Sequence, residues 1–550
     1  MREVGPAVLR VAAVASILLS AGCCTVTTSD VVVYGGTSAA IAAAVQATRM
    51  GLSVTVVSPD TRLGGLTTGG LGQTDIGRKE AFGGIALEFY RDVHRWYSDP
   101  AHWTRQKPSD YRPEGQCAGT KDGASMWTFE PSAALAIIEG WVERDGFTVV
   151  RGARLDRGAG GVVRQDGRIV SFRTEDGRVF GGRMFIDATY EGDLMAAAGV
   201  SYTVGRESND VYGETLNGCQ PKQGWHKFVA GVDPYVVKGD PSSGLLPGID
   251  PEPLKPEGTG DRRVQAYCFR MCLTDDPENR IPFAKPAAYD ERNYELLLRN
   301  YEAGKKGFPW INARMPNRKT DTNNRTGFST DFIGQNHAYP EASYAEREKI
   351  VRAHLEYQKG LMWTLAYHPR MPEEIRKHVS RWGTCKDEFP DGYGDGWQKQ
   401  LYVREVRRMV GDYVMTEANC RGTRLAPRSV GMAAYGMDSH HVRRYVGADG
   451  FVQNEGDVEV GCPGPYPIDY GSLVPKRGEC ANLLVPVCVS ASHIAYGSIR
   501  MEPVFFALGQ SAATAAAIAL ADSVAVQDVA YDKLSKRLLA DGQVLSVRGK

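Results

Sequence analysis

The spacing of apolar residues near the N-terminus predicts a βαβ unit. Residues 30–34 and 54–57 are runs rich in β-branched side chains, which is typical of strands buried on both faces of a parallel sheet. The Ala-rich residues 41–50 between them favour a helix that packs closely on that sheet. Gly51 follows at the position where such a helix ends in a left-handed residue.

Further strands and helices are predicted along the rest of the chain. Asp-Gly turns at 166–167 and 176–177 divide residues 162–186 into a small antiparallel meander. An apolar run at 482–490 indicates a last buried strand, and an Ala-rich helix is predicted after Pro503. Further helices are predicted at 82–97, 344–365 and 398–419, and a further strand at 265–273.

A glycine turn follows the first predicted strand, where a dinucleotide's pyrophosphate would meet the start of the helix. Gly35, Thr37 and Ala40 stand at the three glycine positions of G-x-G-x-x-G, with Gly36 between them. The match is incomplete, so a structural βαβ turn is the alternative. The second strand ends at Ser58 instead of the acidic residue that binds a ribose.

A second glycine-rich segment, residues 64–72, comes directly after the second strand. A flexible linker is the simple alternative, but a linker would not lie between a strand and a predicted helix. Glycines at this place allow backbone N–H groups to approach a large cofactor closely.

With these motifs the chain resembles the FAD-dependent oxidoreductases related to the fumarate reductase flavoproteins. It resembles most an exported bacterial subfamily, some of whose members are labelled xanthan lyase. The resemblance extends from about residue 30 to about residue 521. It implies a doubly wound α/β FAD-binding domain, Rossmann-like and of the glutathione reductase type, that is discontinuous in sequence. We expect this domain at 29–214 and 431–525, an inserted α+β cap or substrate domain at 215–430, and a C-terminal tail at 526–550.

The resemblance also assigns residues to the cofactor. Residues 184–194 resemble the second FAD motif, and residues 500–502 precede a helix whose N-terminus faces the flavin in relatives. We expect FAD to be held without a covalent bond, because residues 64–77 contain no His or Cys for attachment. The expected FAD-binding residues are Gly35, Gly36, Thr37, Ala40, Ser58, Gly64, Gly65, Thr68, Gly69, Gly70, Asp187, Ala188, Asp193, Arg500, Met501 and Glu502.

Three residues are candidates for catalysis. His493 lies between the last predicted strand and the final helix, so we expect it near the flavin, where histidine can carry a proton. Its alternative role is a hydrogen bond to flavin or backbone. Arg404 would clamp a negative oxygen, or else pair with a nearby carboxylate. His440 and His441 are adjacent, so only one can face the site from a strand, and we expect this to be His441.

Three further residues are candidates for substrate binding. Asn323 and Asn324 belong to a segment that matches the exported subfamily, although a polar turn would look the same. Arg407 shares one face of the helix predicted at 398–419 with Arg404 and Arg408, at spacings of three and four residues. Such a cluster of guanidinium groups suits an anion clamp.

The predicted function is hydride transfer between flavin N5 and a small polar substrate, namely a sugar, a polyol or a carboxylate. The partners expected are this small molecule and an external electron acceptor. A nicotinamide dehydrogenase would leave residues 64–72 and the final helix unexplained. A xanthan-type polysaccharide lyase and a catalytically silent flavin-containing surface protein remain alternatives.

Composition narrows the class of protein. The 550 residues exceed one compact core, so two or more domains are expected. Sixty-five basic and 65 acidic side chains leave no net charge, which argues against a nucleic-acid partner. No apolar stretch after residue 30 reaches the roughly 20 residues of a transmembrane span.

The first 24 residues read as an export signal, with Arg2 and Arg10 beside a short apolar run and small residues after it. Cys23 stands where a lipoprotein would be cleaved, so lipid anchoring and simple secretion are both open, in the periplasm or cell envelope. Eleven cysteines in an exported chain suggest disulfides. Cys268 and Cys272 are about 13 Å apart along the predicted strand, too far for a bridge. No Cys/His spacing indicates a metal site.

Overall fold

The computed structural model describes residues 26–119, 121–222 and 225–547. The predicted export signal, including Cys23, lies outside these residues. From residue 26 to residue 212 the helices and strands are, in chain order, β1 (Val26–Tyr34), α1 (Ser38–Arg49), β2 (Val54–Val57), α2 (Gly84–Ser98), α3 (Pro131–Asp145), β3 (Thr148–Val150), β4 (Val162–Gln165), β5 (Arg168–Arg173), β6 (Val179–Asp187), α4 (Asp193–Ala197), β7 (Tyr202–Val204) and α5 (Asn209–Tyr212).

A seven-stranded sheet contains the predicted βαβ unit. β1 pairs in parallel with β2 and with β6, in registers that place Val31 beside Val54 on one side and Met184 on the other. β3 extends the sheet in parallel beyond β2, while the antiparallel strands β5 and β4 extend it beyond β6. The fold is therefore mixed α/β with a parallel-strand sheet, as predicted, and the meander is confirmed as β4 to β6.

The middle of the chain contains a second, antiparallel sheet. Its strands lie in the order β10 (Trp310–Met315), β11 (Lys319–Asn324), β8 (Met271–Thr274), β12 (Gly383–Cys385) and β9 (Arg280–Ile281). The strand predicted at 265–273 is shorter than expected, because regular pairing begins only at Met271. From residue 271 to residue 420 the elements are β8 (Met271–Thr274), β9 (Arg280–Ile281), α6 (Glu295–Glu302), β10 (Trp310–Met315), β11 (Lys319–Asn324), α7 (Tyr344–Tyr367), α8 (Glu373–Val379), β12 (Gly383–Cys385), β13 (Arg407–Met409) and α9 (Glu417–Cys420).

The prediction of a helix at 398–419 is wrong. Residues 407–409 form β13, which pairs with β7, and Tyr402 forms an isolated bridge with Cys268. Arg404, Arg407 and Arg408 are all buried in ion pairs with carboxylates. Their helix-like spacing therefore does not mark one face of a helix. The segment is enclosed by protein, and carboxylates distant in sequence pair with all three arginines, with Glu405 as a second, nearby partner of Arg408.

The C-terminal part returns to the first sheet. β20 pairs in parallel with β6, although the strand predicted at 482–490 is reduced to two residues. From residue 429 to residue 540 the elements are β14 (Ser429–Ala433), β15 (Met437–Ser439), β16 (Arg443–Val446), β17 (Val452–Glu455), β18 (Val458–Val460), β19 (Tyr466–Asp469), β20 (Leu483–Leu484), α10 (His493–Ile499), α11 (Glu502–Asp522) and α12 (Tyr531–Ala540).

The predicted Ala-rich helix after Pro503 is confirmed as α11, which packs along α1. Gly509 permits this contact, since a Cβ there would come within 2.2 Å of the Ala39 carbonyl oxygen. Among the described residues α11 is the one helix long and apolar enough to cross a membrane, and 89% of its apolar window is buried inside the molecule. Within the predicted C-terminal tail, α12 buries Leu534 and Leu538.

Candidate functional site

The turn between β1 and α1 is in tight contact with the end of β6. Gly35 has φ of +125°, and a Cβ there would lie 2.5 Å from the Ala188 carbonyl oxygen. Thr37 Oγ1 donates to that same oxygen at 2.7 Å and accepts from the Ala40 amide at 3.4 Å, which caps α1. The start of α1 is thereby fixed where the strand order of the sheet reverses, between β1 and β6.

A cavity of about 180 Å³ opens at this point, and we call it the turn cavity. Gly36, Thr37 and Gly65 line it, together with Asp60 and Asp193. The first turn of a helix carries free N–H groups and a positive dipole end, so the cavity suits a phosphate. Small residues at 36 and 65 leave the backbone accessible from the cavity.

Two expected cofactor residues support the walls of the turn cavity from behind. Ser58 is buried, donates to the Asp60 carbonyl at 2.8 Å and accepts from the Asp60 amide at 3.2 Å. Asp60, not Ser58, reaches the cavity. Asp187 is also buried and accepts from the amides of Thr189 and Met195. Burial raises the pKa of Asp187 to about 6, although these two amides oppose the shift.

The second glycine segment, residues 64–72, is folded against the turn cavity and the middle of the chain. Gly64 and Gly65 have positive φ angles, and Gly69 lies against the Gln400 side chain. Gly70 has φ of +123°, and a Cβ there would lie 2.2 Å from the Arg270 carbonyl oxygen. Thr68 Oγ1 donates to the Leu63 carbonyl, just before the segment, at 2.5 Å. Glycine is therefore required at these positions, because a side chain would be strained by the backbone conformation or would clash with the neighbouring segment.

Glu502 brings three of the predicted cofactor segments together. It stands at the start of α11, after buried Met501, and accepts hydrogen bonds from Ser38 (2.5 Å), Thr67 (2.8 Å) and Tyr190 (2.7 Å). Those three residues belong to α1, to the glycine segment and to the segment after β6. Burial raises the pKa of Glu502, while its three hydroxyl donors lower it.

A larger cavity of about 780 Å³ lies beyond the glycine segment, and we call it the cap cavity. Its walls include residues just after the glycine segment, the five-stranded sheet and the strands β15 and β18. The residues that line it include Asp75, Arg270, Asp321, Asn323, Asn324, Tyr435, Asp438, His440 and Glu459.

Two buried arginines at this side of the molecule have guanidinium N–H groups to spare. Arg270 holds Asp321 through Nε and Nη2 (2.8 and 2.7 Å), while Nη1 has no partner among the described residues. Arg500 donates to Tyr402 (2.8 Å) and to Asp438 (3.2 Å), while Nε has no partner in the described chain. Buried donors without acceptors are costly, so these positions suit a ligand with oxygen or nitrogen acceptors.

His440 and Asp331 form an oriented pair at the cap cavity. His440 Nδ1 lies 2.7 Å from Asp331 Oδ2, and Arg404 holds the other carboxylate oxygen at 3.0 Å. Burial raises the pKa of Asp331, but Arg404 and His440 outweigh it and hold that pKa well below its usual range. Burial and Arg404 lower the pKa of His440, although Asp331 opposes this. A neutral His440 therefore donates from Nδ1.

The other ring nitrogen of His440, Nε2, is available to a molecule in the cap cavity. Nε2 makes no hydrogen bond to any described residue, and its nearest carboxylate oxygen, on Asp438, is 3.8 Å away. Because Nδ1 carries the proton, Nε2 presents a lone pair, and His440 lines the cap cavity. This arrangement can accept a proton from a molecule in that cavity.

The three residues predicted to be catalytic, His493, Arg404 and His441, do not line either cavity. His493 is 1% exposed, with Nδ1 2.8 Å from Glu405 and Nε2 3.0 Å from Ser439. His441 Nε2 is 2.7 Å from the His226 carbonyl oxygen. Neither histidine lines the turn cavity or the cap cavity. Arg404 lies behind Asp331, so it acts on the cavity only through that carboxylate.

The predicted substrate residues are not brought together. Asn323 and Asn324 line the cap cavity. Arg407 instead donates to Asp193 (2.7 Å) and to Glu341 (2.9 Å), at the edge of the turn cavity. Sequence reasoning missed His440, for which the adjacent pair of histidines was the only signal, and Asp331, for which the sequence carries no signal.

Comparison with known proteins identifies the family. The family described as "FAD dependent oxidoreductase" matches residues 30–538. No curated protein matches the chain. Solved structures with partial similarity include a flavin-containing monooxygenase from Stenotrophomonas maltophilia (19% identity, 34% of this chain, 43% of that chain, TM-score 0.19) and the L-amino acid deaminase from Proteus vulgaris (17%, 34%, 54%, 0.22). The chain thus spans only about half the length of these structures. On the strength of the family match, the chain belongs to the FAD dependent oxidoreductases, as an enzyme whose cofactor is FAD.

Proposed function

We propose that the chain is an exported enzyme that transfers a hydride between FAD and a small polar substrate in the cap cavity, with His440 carrying the proton. The substrate class is a sugar, a polyol or a carboxylate. The observation that carries the proposal is the His440–Asp331 pair, whose Nε2 is unbonded at a cavity of about 780 Å³. The relation to fumarate reductase flavoproteins is part of the same proposal.

The residues present fit FAD. The Gly35 turn and the first turn of α1 offer N–H groups for a pyrophosphate beside the turn cavity. Asp60 would take the ribose contact that Ser58 does not reach. The unpartnered Nε of Arg500 and the start of α11 supply donors and a positive dipole end for the flavin ring. Bound FAD would supply a two-electron acceptor at N5.

The side chains of the cap cavity would perform the remaining steps. His440 Nε2 accepts the proton of a substrate hydroxyl as its carbon is oxidised. Asp331 stabilises the imidazolium that results, and Arg404 keeps Asp331 ionised. The free N–H of Arg270 binds a substrate oxygen, and Asn323 fixes the orientation by hydrogen bonds. In the opposite direction His440 returns the proton, and an external acceptor or donor completes the turnover.

The domain division predicted from sequence is retained as part of the proposal. The pairing of β20 with β6 supports an FAD-binding domain made from residues 29–214 and 431–525. The five-stranded sheet, formed entirely between residues 271 and 385, supports an inserted cap at 215–430. The assignment of catalysis to His493, Arg404 and His441 also stays a prediction, and comparison of His440→Gln with His493→Gln tests the His493 part of it against the proposed role of His440.

Anaerobic screening of the purified protein tests the function directly. Sugars, polyols, hydroxy acids and dicarboxylates are added in turn while the absorbance of oxidised flavin is followed. The proposal expects bleaching by at least one hydroxyl-bearing or carboxylate compound. An unsaturated sugar product that absorbs in the ultraviolet, formed from a polysaccharide without bleaching, would instead support the xanthan-type lyase. Reduction by dithionite alone, with no compound active, would support the silent surface protein.

FAD should be released intact when the protein is denatured by acid. Residues 64–77, which comprise the glycine segment and the five residues after it, contain no His or Cys that could form a covalent bond to the flavin. Precipitation with trichloroacetic acid should therefore leave a colourless pellet and a yellow supernatant whose flavin has the mass of free FAD. A yellow pellet after repeated washing would show a covalent link and contradict the expectation.

Export should remove the N-terminal segment. The apolar run and small residues before Cys23 support cleavage near residue 23 or 24, with either lipid on Cys23 or a free amine. Mass spectrometry of the protein isolated from its native envelope should show a chain that begins there. An intact Met1 would refute export, whereas a free amine at a later residue would refute only the lipid anchor.

A further inference from the structure

Two cysteines distant in sequence lie in contact within the five-stranded sheet. The Sγ atoms of Cys272 on β8 and Cys385 on β12 are 3.8 Å apart. β8 and β12 are antiparallel, with Leu273 paired to Thr384 and Thr274 paired to Gly383. Continuing this register by one residue places Cys272 directly opposite Cys385. Directly opposite residues in an antiparallel pair have Cβ atoms about 4.5–5.5 Å apart, close to disulfide geometry.

The pair is enclosed by apolar side chains. Cys272 is 1% exposed and Cys385 is fully buried, and they pack with Met315 and Phe389. Among the residues that the structure describes, the only hydrogen-bonding contact of Cys385 Sγ besides its neighbour's sulfur is the Cys272 carbonyl oxygen at 3.6 Å. Burial raises the pKa of Cys272. Neither thiol is therefore placed for nucleophilic chemistry, and each has the other as its natural partner.

We propose that Cys272 and Cys385 are joined by a disulfide in the mature protein. The two thiols lose two protons and two electrons as the S–S bond forms. The electrons pass to the disulfide of an oxidised dithiol carrier, or to glutathione disulfide in vitro, which becomes two thiols. Because both sulfurs are inaccessible in the folded chain, the exchange takes place before β12 closes on β8. This inference does not depend on the proposed reaction.

The link would brace the wall of the cap cavity. β12 is held to β8 by a short ladder, and the two cysteines enclose a loop whose ends are 113 positions apart. Cys272 is also paired across the sheet with Asp321, which holds Arg270 at the cavity. A covalent bond at this point restricts the unfolded chain and fixes β8, which follows Arg270 directly and pairs with the strand of Asp321.

Differential alkylation tests the proposal on wild-type full-length protein refolded in a glutathione redox buffer, which makes the test independent of export. Free thiols are blocked with iodoacetamide in denaturant, and the remaining sulfurs are then reduced and labelled with N-ethylmaleimide. Cys272 and Cys385 should carry the second label, and a non-reduced digest should contain their peptides joined, about 2 Da lighter than the sum. Cys117 and Cys480, whose sulfurs contact Thr74 and Asn482, should carry the first label. First label on both Cys272 and Cys385 would overturn the proposal.

Thermal unfolding gives a second, independent measurement. Cys272→Ala, Cys385→Ala and the double variant should share one lowered Tm, by about 5 °C or more, because each removes the same bond. The Tm of wild type refolded with dithiothreitol should fall by a similar amount. Cys480→Ala, which keeps both cysteines of the pair, should show the same difference in Tm between the two refolding buffers as wild type. A wild-type Tm that is the same after oxidising and reducing refolding would overturn the proposal, even if a variant fails to fold.

Discussion

His440→Gln should lower the rate of flavin reduction by about 10²–10⁴-fold while FAD remains bound. Glutamine is polar and similar in size to histidine, but its amide cannot take up a proton at the position of Nε2. The measurement is single-turnover reduction in an anaerobic stopped-flow instrument, with the substrate found by screening. Flavin content and the visible spectrum of the variant report separately on cofactor binding, so a folding defect is not mistaken for lost chemistry.

Comparison of His440→Gln with His493→Gln decides between two assignments. If His493 carries the proton, as its sequence position suggested, His493→Gln loses reduction and His440→Gln retains it. The contacts favour the reverse, since both ring nitrogens of His493 are engaged by Glu405 and Ser439. His94→Gln, on α2 and away from both cavities, serves as the control and should reduce at the wild-type rate.

The pH dependence provides a further check on His440. The neutral imidazole is the proton acceptor, so kcat/KM should fall as the pH decreases through the pKa of His440. Burial and Arg404 shift this pKa below its usual value, so the base stays neutral and active at neutral pH. This fall of kcat/KM at low pH, the acid limb of the pH profile, should be absent from the residual activity of His440→Gln. An unchanged acid limb in that variant would assign it to another group.

Much of the FAD-binding sheet could be predicted because its signals are local. The β-branched run of β1, the turn at Gly35 and the Ala-rich α1 are adjacent in sequence, and each favours the same βαβ unit. The start of α11 could be recognised in the same way from a buried helix with Pro503 in its first turn. Glycine was informative where the backbone approaches another segment, as Gly35 does with Ala188.

The middle of the chain could not be predicted at the same level, because its structure depends on partners far away in sequence. Arg404, Arg407 and Arg408 have the spacing of a helical face, yet they pair with Asp331, Asp193 and Glu207 in an extended segment. Nothing near position 404 indicates which carboxylate will face it. The same holds for His440, because Asp331, the carboxylate that orients it, is distant in sequence.

Asp193→Asn should lower the free energy of unfolding by about 3–5 kcal/mol, the cost of removing one partner from a buried ion pair. Asp193 is buried and binds Arg347 through both oxygens (2.6 and 3.0 Å), Arg407 at 2.7 Å and Arg157 at 3.3 Å. The variant leaves three partly or fully buried guanidinium groups without their shared carboxylate. Urea unfolding measures the loss, and the exposed pair Asp156–Arg173 supplies the control Asp156→Asn, which should cost little.

The loss should also depend on pH in a defined direction. Burial alone would raise the pKa of Asp193, but Arg347, Arg407 and Arg157 outweigh it and lower the pKa from 3.8 to about 2. A depressed native pKa stabilises the fold above the unfolded value and loses that stabilisation as the pH falls. The difference in unfolding free energy between wild type and Asp193→Asn should therefore be full above pH 4 and shrink between pH 4 and pH 2. A difference that stays constant across this range would mean that the ionised Asp193 does not stabilise the junction of α4, β13 and α7.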